Sequence, residues 1–221
     1  MLDKLTALAL SFLLVMAVTD AVAIEKVTIG NTKTVVRTVT GTLEKDKRRI
    51  ELRDDVYHNE VIETKNQSAT EIIFLDETTL TLGPNARMSL DRFVYDTDPK
   101  KGTFVMTATR GAFRFVSGKM AKKAYVIHTP SATIGIRGTI LSIVALPLEA
   151  FGGSGAFVVN ITVEEGVAEV TNCSGERVVL DRPGMSTTIT GLSGGACSAP
   201  TPPGVQPARF SSQLDSLGPL P

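Results

Sequence analysis

Residues 129–139 read TPSATIGIRGT, and an apolar run follows them at 139–145. Arg137 stands between two glycines, Gly135 and Gly138, so the backbone can turn tightly or adopt a positive φ while it presents the guanidinium at a fixed point. We expect this arginine to tie neighbouring strands together by donating to backbone carbonyls and to a carboxylate; the alternative is that it grips an anionic ligand. If its carboxylate partner is buried, Arg137→Ala should destabilise the fold by about 3 kcal/mol or more.

Alternating hydrophobic residues on both sides of this stretch predict strands. Phe113 and Phe115 project to one face with Arg114 opposite, and residues 157–163 alternate in the same way. The apolar runs are short, and turn residues bound them. We therefore predict an all-β fold of many short strands, either a two-layer β-sandwich or a short β-solenoid. The predicted strands cover residues 61–62, 71–75, 79–82, 88–95, 103–109, 112–116, 125–128, 139–145, 157–163, 167–171, 177–180 and 185–189.

The quoted stretch is similar to the signature of the FecR domain family, a TP-x-A-x-x-G-x-RGT core followed by an apolar strand. The resemblance extends to residues 66–90, 111–118, 165–167 and 183–184, and it covers about residues 35–190. One departure is the turn Asp76-Glu77-Thr78, where the family has Asp-Gly. We assign a structural role to the motif residues Thr129, Pro130, Gly135, Arg137, Gly138 and Thr139.

The resemblance implies a periplasmic or extracellular β-domain. In the iron-transport members of the family, this domain relays an outer-membrane signal to a sigma factor through a cytoplasmic segment that precedes a membrane span. Here only residues 1–4 precede the first apolar run, so we expect no sigma-binding segment. The resemblance therefore points to a stand-alone exported FecR-like domain whose ligand the sequence does not identify.

The first 23 residues have the features of a signal peptide. Lys4 precedes an apolar run at 5–18, and residues 21–23 read AVA, a small-x-small cleavage site. As a helix, this run would reach about 21 Å, which is less than the roughly 30 Å hydrocarbon core of a bilayer. We expect cleavage before Ile24, a periplasmic or secreted bacterial protein, and no stable membrane insertion afterwards.

The C-terminal residues 196–221 differ in composition from the rest of the chain. They contain six of its eleven prolines and show almost no alternating pattern. We predict a disordered proline-rich tail, because such a stretch cannot pair into a sheet or bury enough apolar area. The FecR-like β-domain would then occupy residues 24–195.

The two cysteines, Cys173 and Cys197, both lie late in the chain. In an oxidising compartment, a disulfide between them is the natural pairing, and two free, partly buried thiols are the alternative. On the chain-entropy description, the disulfide would stabilise the C-terminal end by about 3 kcal/mol.

The sequence offers little for catalysis. Residues 191–195 read GLSGG and fit the G-x-S-x-G pattern, but a nucleophile elbow needs a following helix and a histidine base. A cysteine and the proline-rich tail follow instead, and the two histidines, His58 and His128, stand apart. We expect no enzymatic activity, no catalytic residues and no cofactor.

Metal and nucleic-acid binding are also not expected. Asp54-Asp55 and the pair Asp96 and Asp98 could hold Ca²⁺ only if loops brought them together, and neighbouring lysines favour simple solvation of the second pair. Lys+Arg and Asp+Glu are equal at 23 each, so no overall field attracts a polyanion. The cluster of Lys119, Lys122 and Lys123 is typical of an exposed hairpin loop, although it could meet an acidic partner or phospholipid headgroups.

A loop at 146–154 is the candidate interaction surface. Leu146, Leu148 and Phe151 are apolar residues in a segment that ends in flexible glycines. Exposed together, they would form an adhesive patch for another protein; alternatively, they fold back on the sheet.

These observations favour a non-enzymatic module that binds or scaffolds a protein or an envelope polymer through loops and an exposed sheet edge. A self-assembling structural envelope protein is the alternative. A third hypothesis is a signal-transduction component that acts with a separate membrane partner.

Overall fold

The computed structural model describes residues 26–96, 98, 101–121, 123–148, 156–192 and 195–205. The predicted signal peptide, Lys122, Phe151, Ser193 and residues 206–221 lie outside them. Within these ranges the chain is built from strands, and no helix there is long and apolar enough to cross a membrane. The strands are β1 (Thr28–Val36), β2 (Val39–Leu43), β3 (Asp46–Ile50), β4 (Asp55–Tyr57), β5 (Glu60–Thr64), β6 (Ala69–Phe74), β7 (Thr79–Leu82), β8 (Arg87–Val94), β9 (Thr103–Val116), β10 (Tyr125–His128), β11 (Ala132–Pro147), β12 (Ala156–Asn172), β13 (Arg177–Leu180), β14 (Met185–Leu192) and β15 (Gly204–Val205).

All fifteen strands belong to one hydrogen-bonded network, which folds into two layers. The long strands β9, β11 and β12 each pass through both layers and change partners on the way. The first layer has the order β3-β2-β5-β8-β9-β10-β11-β12-β13, and it uses the N-terminal halves of β9 and β11 and the C-terminal half of β12. The second layer has the order β4-β1-β6-β7-β9-β11-β12-β14-β15, and it uses the other halves.

Each of these three strands turns its corner at a glycine in the left-handed region: Gly111 at φ 108°, Gly138 at φ 65° and Gly166 at φ 82°. The corners of β11 and β12 lie against each other, because a Cβ on Gly166 would be 2.0 Å from the carbonyl oxygen of Gly138. The pairing register of β11 shifts at the same place, between Arg137 and Ile140. A strand that passes from one layer to the other at a bend is the usual way of joining packed sheets.

The core lies between the two layers. Phe74 of the second layer meets Phe104 of the first with ring centroids 4.9 Å apart, and Phe115 meets Tyr125 across the same space at 5.6 Å. Inward residues from both layers form one contiguous apolar cluster, and burying each large side chain contributes about 1.5–3 kcal/mol. The all-β prediction is confirmed, and this shared core favours the sandwich over the solenoid.

The strand boundaries differ from the predicted ones at the corners. Residues 103–109 and 112–116 were predicted as two strands, as were 157–163 and 167–171, but they form the single strands β9 and β12. A glycine inside a strand signals either a turn or a bend, and the local pattern does not separate the two. Strands β1 to β4 were missed because threonines and charged residues interrupt their apolar pattern.

The predicted disorder of the tail is wrong for residues 196–205, which run along β14. The amides of Ser198 and Thr201 donate to the carbonyls of Thr190 and Thr188 at 2.7 and 3.0 Å, and β15 pairs with β14. Pro200 stands between these two donors and Pro202 and Pro203 follow them, and an edge position tolerates all three. The predicted disulfide is present between Cys173 and Cys197, whose Cα atoms are 5.7 Å apart, and it fastens this segment to the end of β12.

The contact between the β11 and β12 corners can be tested with two alanine substitutions. Gly166 and Gly184 have the same φ of 82°, but a Cβ on Gly184 has nothing within 4 Å. Gly184→Ala should therefore cost only the left-handed backbone strain, about 1 kcal/mol. Gly166→Ala carries the same strain plus an overlap with Gly138, so we expect its loss to be larger by at least about 2 kcal/mol in urea unfolding. Equal losses for the two variants would contradict the close contact.

Candidate functional site

The first part of the motif closes the turn between β10 and β11. The amide of Thr129 donates to the carbonyl of Ala132 at 2.8 Å, and the Thr129 hydroxyl both donates to that carbonyl and accepts from the Ala132 amide, each at 2.9 Å. Pro130 fixes φ at the second position of this turn. Thr129 and Pro130 therefore lie in the turn that leads into β11.

The end of the motif fastens the corner of β11 to both neighbouring strands. Thr139 is 2% exposed, and its amide donates to the Ser117 hydroxyl at 2.9 Å while its carbonyl accepts from the Ser117 amide at 3.1 Å. The Thr139 hydroxyl donates to the Val167 carbonyl at 2.8 Å and accepts from the Val167 amide at 3.2 Å. One threonine thus joins the end of β9, the corner of β11 and the corner of β12.

Arg137 and its carboxylate partner are not buried, although the large loss of stability expected for Arg137→Ala required a buried partner. Its side chain is 53% exposed and lies on the outer face of the first layer. Its Nη2 is 3.5 Å from Glu169 Oε2, and Arg177 Nη1 is 2.6 Å from Glu169 Oε1. Because an exposed ion pair contributes only about 0–1 kcal/mol, the expectation of about 3 kcal/mol does not apply. The reason is strand alternation, which turns Ile134 and Ile136 inward and Arg137 outward.

Gly135 is the motif residue that the fold does not require. Its φ lies outside the left-handed region, and the nearest atom to an added Cβ would be the Glu169 carbonyl oxygen at 3.9 Å, an ordinary contact. A glycine inside a strand costs about 0.5–1 kcal/mol relative to alanine and often marks a site where a ligand or another backbone comes close.

The missing side chain leaves a cleft of about 240 Å³ on the outer face of the first layer. Gly135 lies at its centre, opposite Val126 of β10 and Glu169 of β12. The remaining walls combine hydroxyl groups and cations from Thr133, Thr171, Lys123 and Arg137. We define these residues as the Gly135 cleft. Sequence reasoning identified Gly135 and Arg137 but missed the residues of β10 and β12, because only the register brings them together.

The predicted interaction loop divides between the described and the undescribed residues. Leu146 and Leu148 pack on a small apolar cluster of Ala112, Val144 and Val158 on the second layer. For these two residues, the structure matches the alternative in which the loop folds back on the sheet. Phe151 lies outside the described residues.

The turn Asp76-Glu77-Thr78 holds a buried polar network. Asp76 is fully buried and accepts hydrogen bonds from the Thr78 hydroxyl at 2.6 Å, the Thr78 amide at 3.1 Å and the Tyr125 hydroxyl at 2.8 Å. Tyr125 in turn accepts from the Met120 amide at 3.0 Å. Burial, followed by the neighbouring Asp76, raises the pKa of Tyr125 to about 12. Because the groups in this network satisfy one another, its role is structural.

The other polar candidates have ordinary protein contacts. His128 Nδ1 lies 3.1 Å from the Thr133 hydroxyl, and Asp54 Oδ2 accepts from the Glu51 amide at 2.8 Å. Glu77 pairs with Lys119 and raises the pKa of that lysine. Among the described residues, no three His, Cys, Asp or Glu side chains converge as metal ligands would. Ser193 of the G-x-S-x-G pattern lies outside those residues.

A family model described as FecR protein matches residues 60–169, which include the whole motif and every residue of the Gly135 cleft except Thr171. Two crystal structures of a proposed anti-sigma factor from Parabacteroides distasonis are similar to this chain, with 15% and 14% identity and TM-scores of 0.47 and 0.48. Each match covers 69% of this chain and 62% of that chain, so this chain spans about three fifths of the solved protein's length. No curated protein matches this chain.

The pKa of Tyr125 predicts a loss of stability at alkaline pH. The folded pKa of about 12 lies above the ordinary tyrosine value of about 10, so the folded protein keeps a proton that the unfolded chain releases. The free energy of unfolding should therefore fall as pH rises from about 10 to about 12, by on the order of 2 kcal/mol. In Tyr125→Phe this part of the fall should be absent. Identical pH slopes for both proteins in denaturant titrations would contradict the assignment.

The two ends of the sequence Arg137-Gly138-Thr139 should differ sharply in their effect on stability. Thr139→Val keeps the side-chain shape but leaves the partly buried amide and carbonyl of Val167 without the hydroxyl, which should cost about 1–3 kcal/mol. Arg137→Ala removes only an exposed ion pair and should cost less than about 1 kcal/mol. Urea unfolding of both variants measures the difference, and the reverse order would show that the guanidinium stabilises the corner.

Proposed function

We propose that this chain, whose residues 60–169 are a FecR domain, acts as a non-enzymatic module that binds a protein partner in regulatory signalling outside the cytoplasm. The Gly135 cleft is the observation that carries this proposal. Its central residue, Gly135, belongs to the FecR signature and is not required by the fold. A glycine at position 135 weakens its own strand and does not contribute to the core. We therefore attribute it to a partner that comes close to the strand at this position.

Export is supported by two features of the chain. The apolar run at 5–18 and the AVA site at 21–23 form a processing signal, and the disulfide between Cys173 and Cys197 suits an oxidising compartment. A periplasmic or cell-surface location would expose the outer face of the first layer to partners in the envelope. The third hypothesis from the sequence, a signal-transduction component that acts with a separate membrane partner, is consistent with this location.

An envelope polymer is the other ligand class that the sequence leaves open. The cleft is short and does not form a long uniform groove. The exposed side chains around it are charged groups and hydroxyls at separate points. This arrangement suits a segment of a folded protein better than a repeating chain. We therefore place a protein partner first.

Self-association is a second candidate, and the edge strand β13 favours it. Among the described residues, β13 pairs only with β12, and Val179 at this edge is 46% exposed. By contrast, the edge strand β3 carries Lys47, Arg48 and Arg49, the charges that commonly block strand addition. If β13 mediates assembly, light scattering will show ordered oligomers that Val179→Lys disperses; the binding-module proposal expects a monomer.

Site-specific photocrosslinking in the native cell tests the proposed function. A photoreactive amino acid replaces Thr133 in the cleft or, as a control, Thr34, an exposed residue of β1 in the second layer. We expect a discrete protein adduct from position 133 that protease digestion removes, and no such adduct from position 34. N-terminal sequencing of the same material should begin at or near Ile24.

Three results would contradict the proposal. They are an adduct at position 133 that resists protease and carries sugar, no adduct at that position, or a mature chain that still begins at Met1.

A further inference from the structure

We propose that the Gly135 cleft binds an acidic, extended peptide segment of the partner, with a carboxylate of that segment on the guanidinium of Arg137. This inference rests on the proposed function, because it requires the partner to be a protein. It adds the chemistry of the partner's contacting segment and the residues that select it.

The shape of the cleft follows from the strand register. Val126, Gly135, Glu169 and Val179 lie side by side on four adjacent strands, β10 to β13. Neighbouring strands are about 4.8 Å apart, so the gap above Gly135 separates Val126 from Glu169 by roughly 9.6 Å between Cα atoms. Because the side chains of Val126 and Glu169 occupy part of this distance, the gap accommodates one side chain of a segment that lies across the face of the sheet. Val126 supplies an apolar wall, and Thr133 and Thr171 supply hydroxyls that can donate to or accept from a peptide backbone.

The charge around the cleft is positive although the chain as a whole carries none. Lys123 and Arg137 line the cleft together with one carboxylate, Glu169, and Arg177 of β13 pairs with that carboxylate. The whole chain, by contrast, has equal numbers of basic and acidic residues. The local excess is therefore a property of this face, and it would attract an anionic group.

Arg137 has hydrogen-bonding capacity that its neighbours do not use. Arg177 is the closer partner of Glu169, at 2.6 Å, whereas Arg137 lies at 3.5 Å, beyond a good hydrogen bond. A guanidinium carries five N–H donors in a planar fork that matches a carboxylate. With half of its side chain exposed beside the gap, Arg137 can take a second carboxylate from a ligand.

The two faces of β11 serve different purposes: the inner face packs in the core, and the outer face lines the cleft. Ile134 and Ile136 point into the core with 0% and 1% exposure, while Thr133, Gly135 and Arg137 point outward. Changes on the outer face should therefore alter binding without unfolding the domain. Gly135→Val is the sharpest of these, because a β-branched residue suits a strand and would fill the gap.

The experiment uses the mature full chain and an array of random-sequence peptides of about nine residues, which extend to roughly 30 Å. We expect the bound peptides to be enriched in Asp and Glu and to lose binding as salt is raised. Replacing their acidic residues by Asn and Gln should weaken binding at least about tenfold. Gly135→Val and Arg137→Gln should cause similar losses, whereas Arg49→Gln on the distant strand β3 should change binding less than about twofold. The melting temperatures of the variants report whether each is folded.

The inference is overturned if the array shows no acidic enrichment, or if folded Gly135→Val selects the same peptides as the parent chain. It is also overturned if Gly135→Val leaves the photocrosslink at position 133 intact, a result that would keep the proposed function. If the parent chain gives no protein crosslink at position 133, the proposed function itself is contradicted, whatever the peptide array shows.

Discussion

The contact between two strand corners governs this structure. The backbone of Gly166 lies so close to the carbonyl of Gly138 that no side chain fits between them, and Thr139 joins both corners to Ser117 through its backbone and its hydroxyl. Because β11 and β12 change layers at this point, and β9, which changes layers at Gly111, ends beside it, the two layers share strands and one core. A loss of the corner would therefore affect both layers at once.

This geometry divides the FecR signature into two groups of residues. Thr129 and Pro130 close a turn, and Gly138 and Thr139 form the corner, so the fold accounts for all four. Gly135 and Arg137 lie between them on the outward side of β11, where neither the core nor the corner uses them. Val126 of β10 and Glu169 and Thr171 of β12 complete the Gly135 cleft, on which the proposed binding of a partner rests.

The sequence predicted much of the fold because alternation and glycine spacing are local. It predicted the all-β class, most strands from β5 onward and the disulfide. It could not distinguish a bend from a turn at Gly111 and Gly166, since that depends on which strands lie alongside. The position of Arg137 on the outer face and the contributions of Val126 and Glu169 also depend on pairing register, which single-chain patterns do not specify.

Native-state hydrogen exchange at the corner tests the central claim most directly. The amides of Ser117, Thr139 and Val167 all donate within the corner. If the corner joins both layers into one cooperative unit, these amides exchange only through global unfolding, with the same free energy that denaturant titration gives. Exchange at a free energy several kcal/mol lower, through local opening while both layers stay protected, would contradict the account.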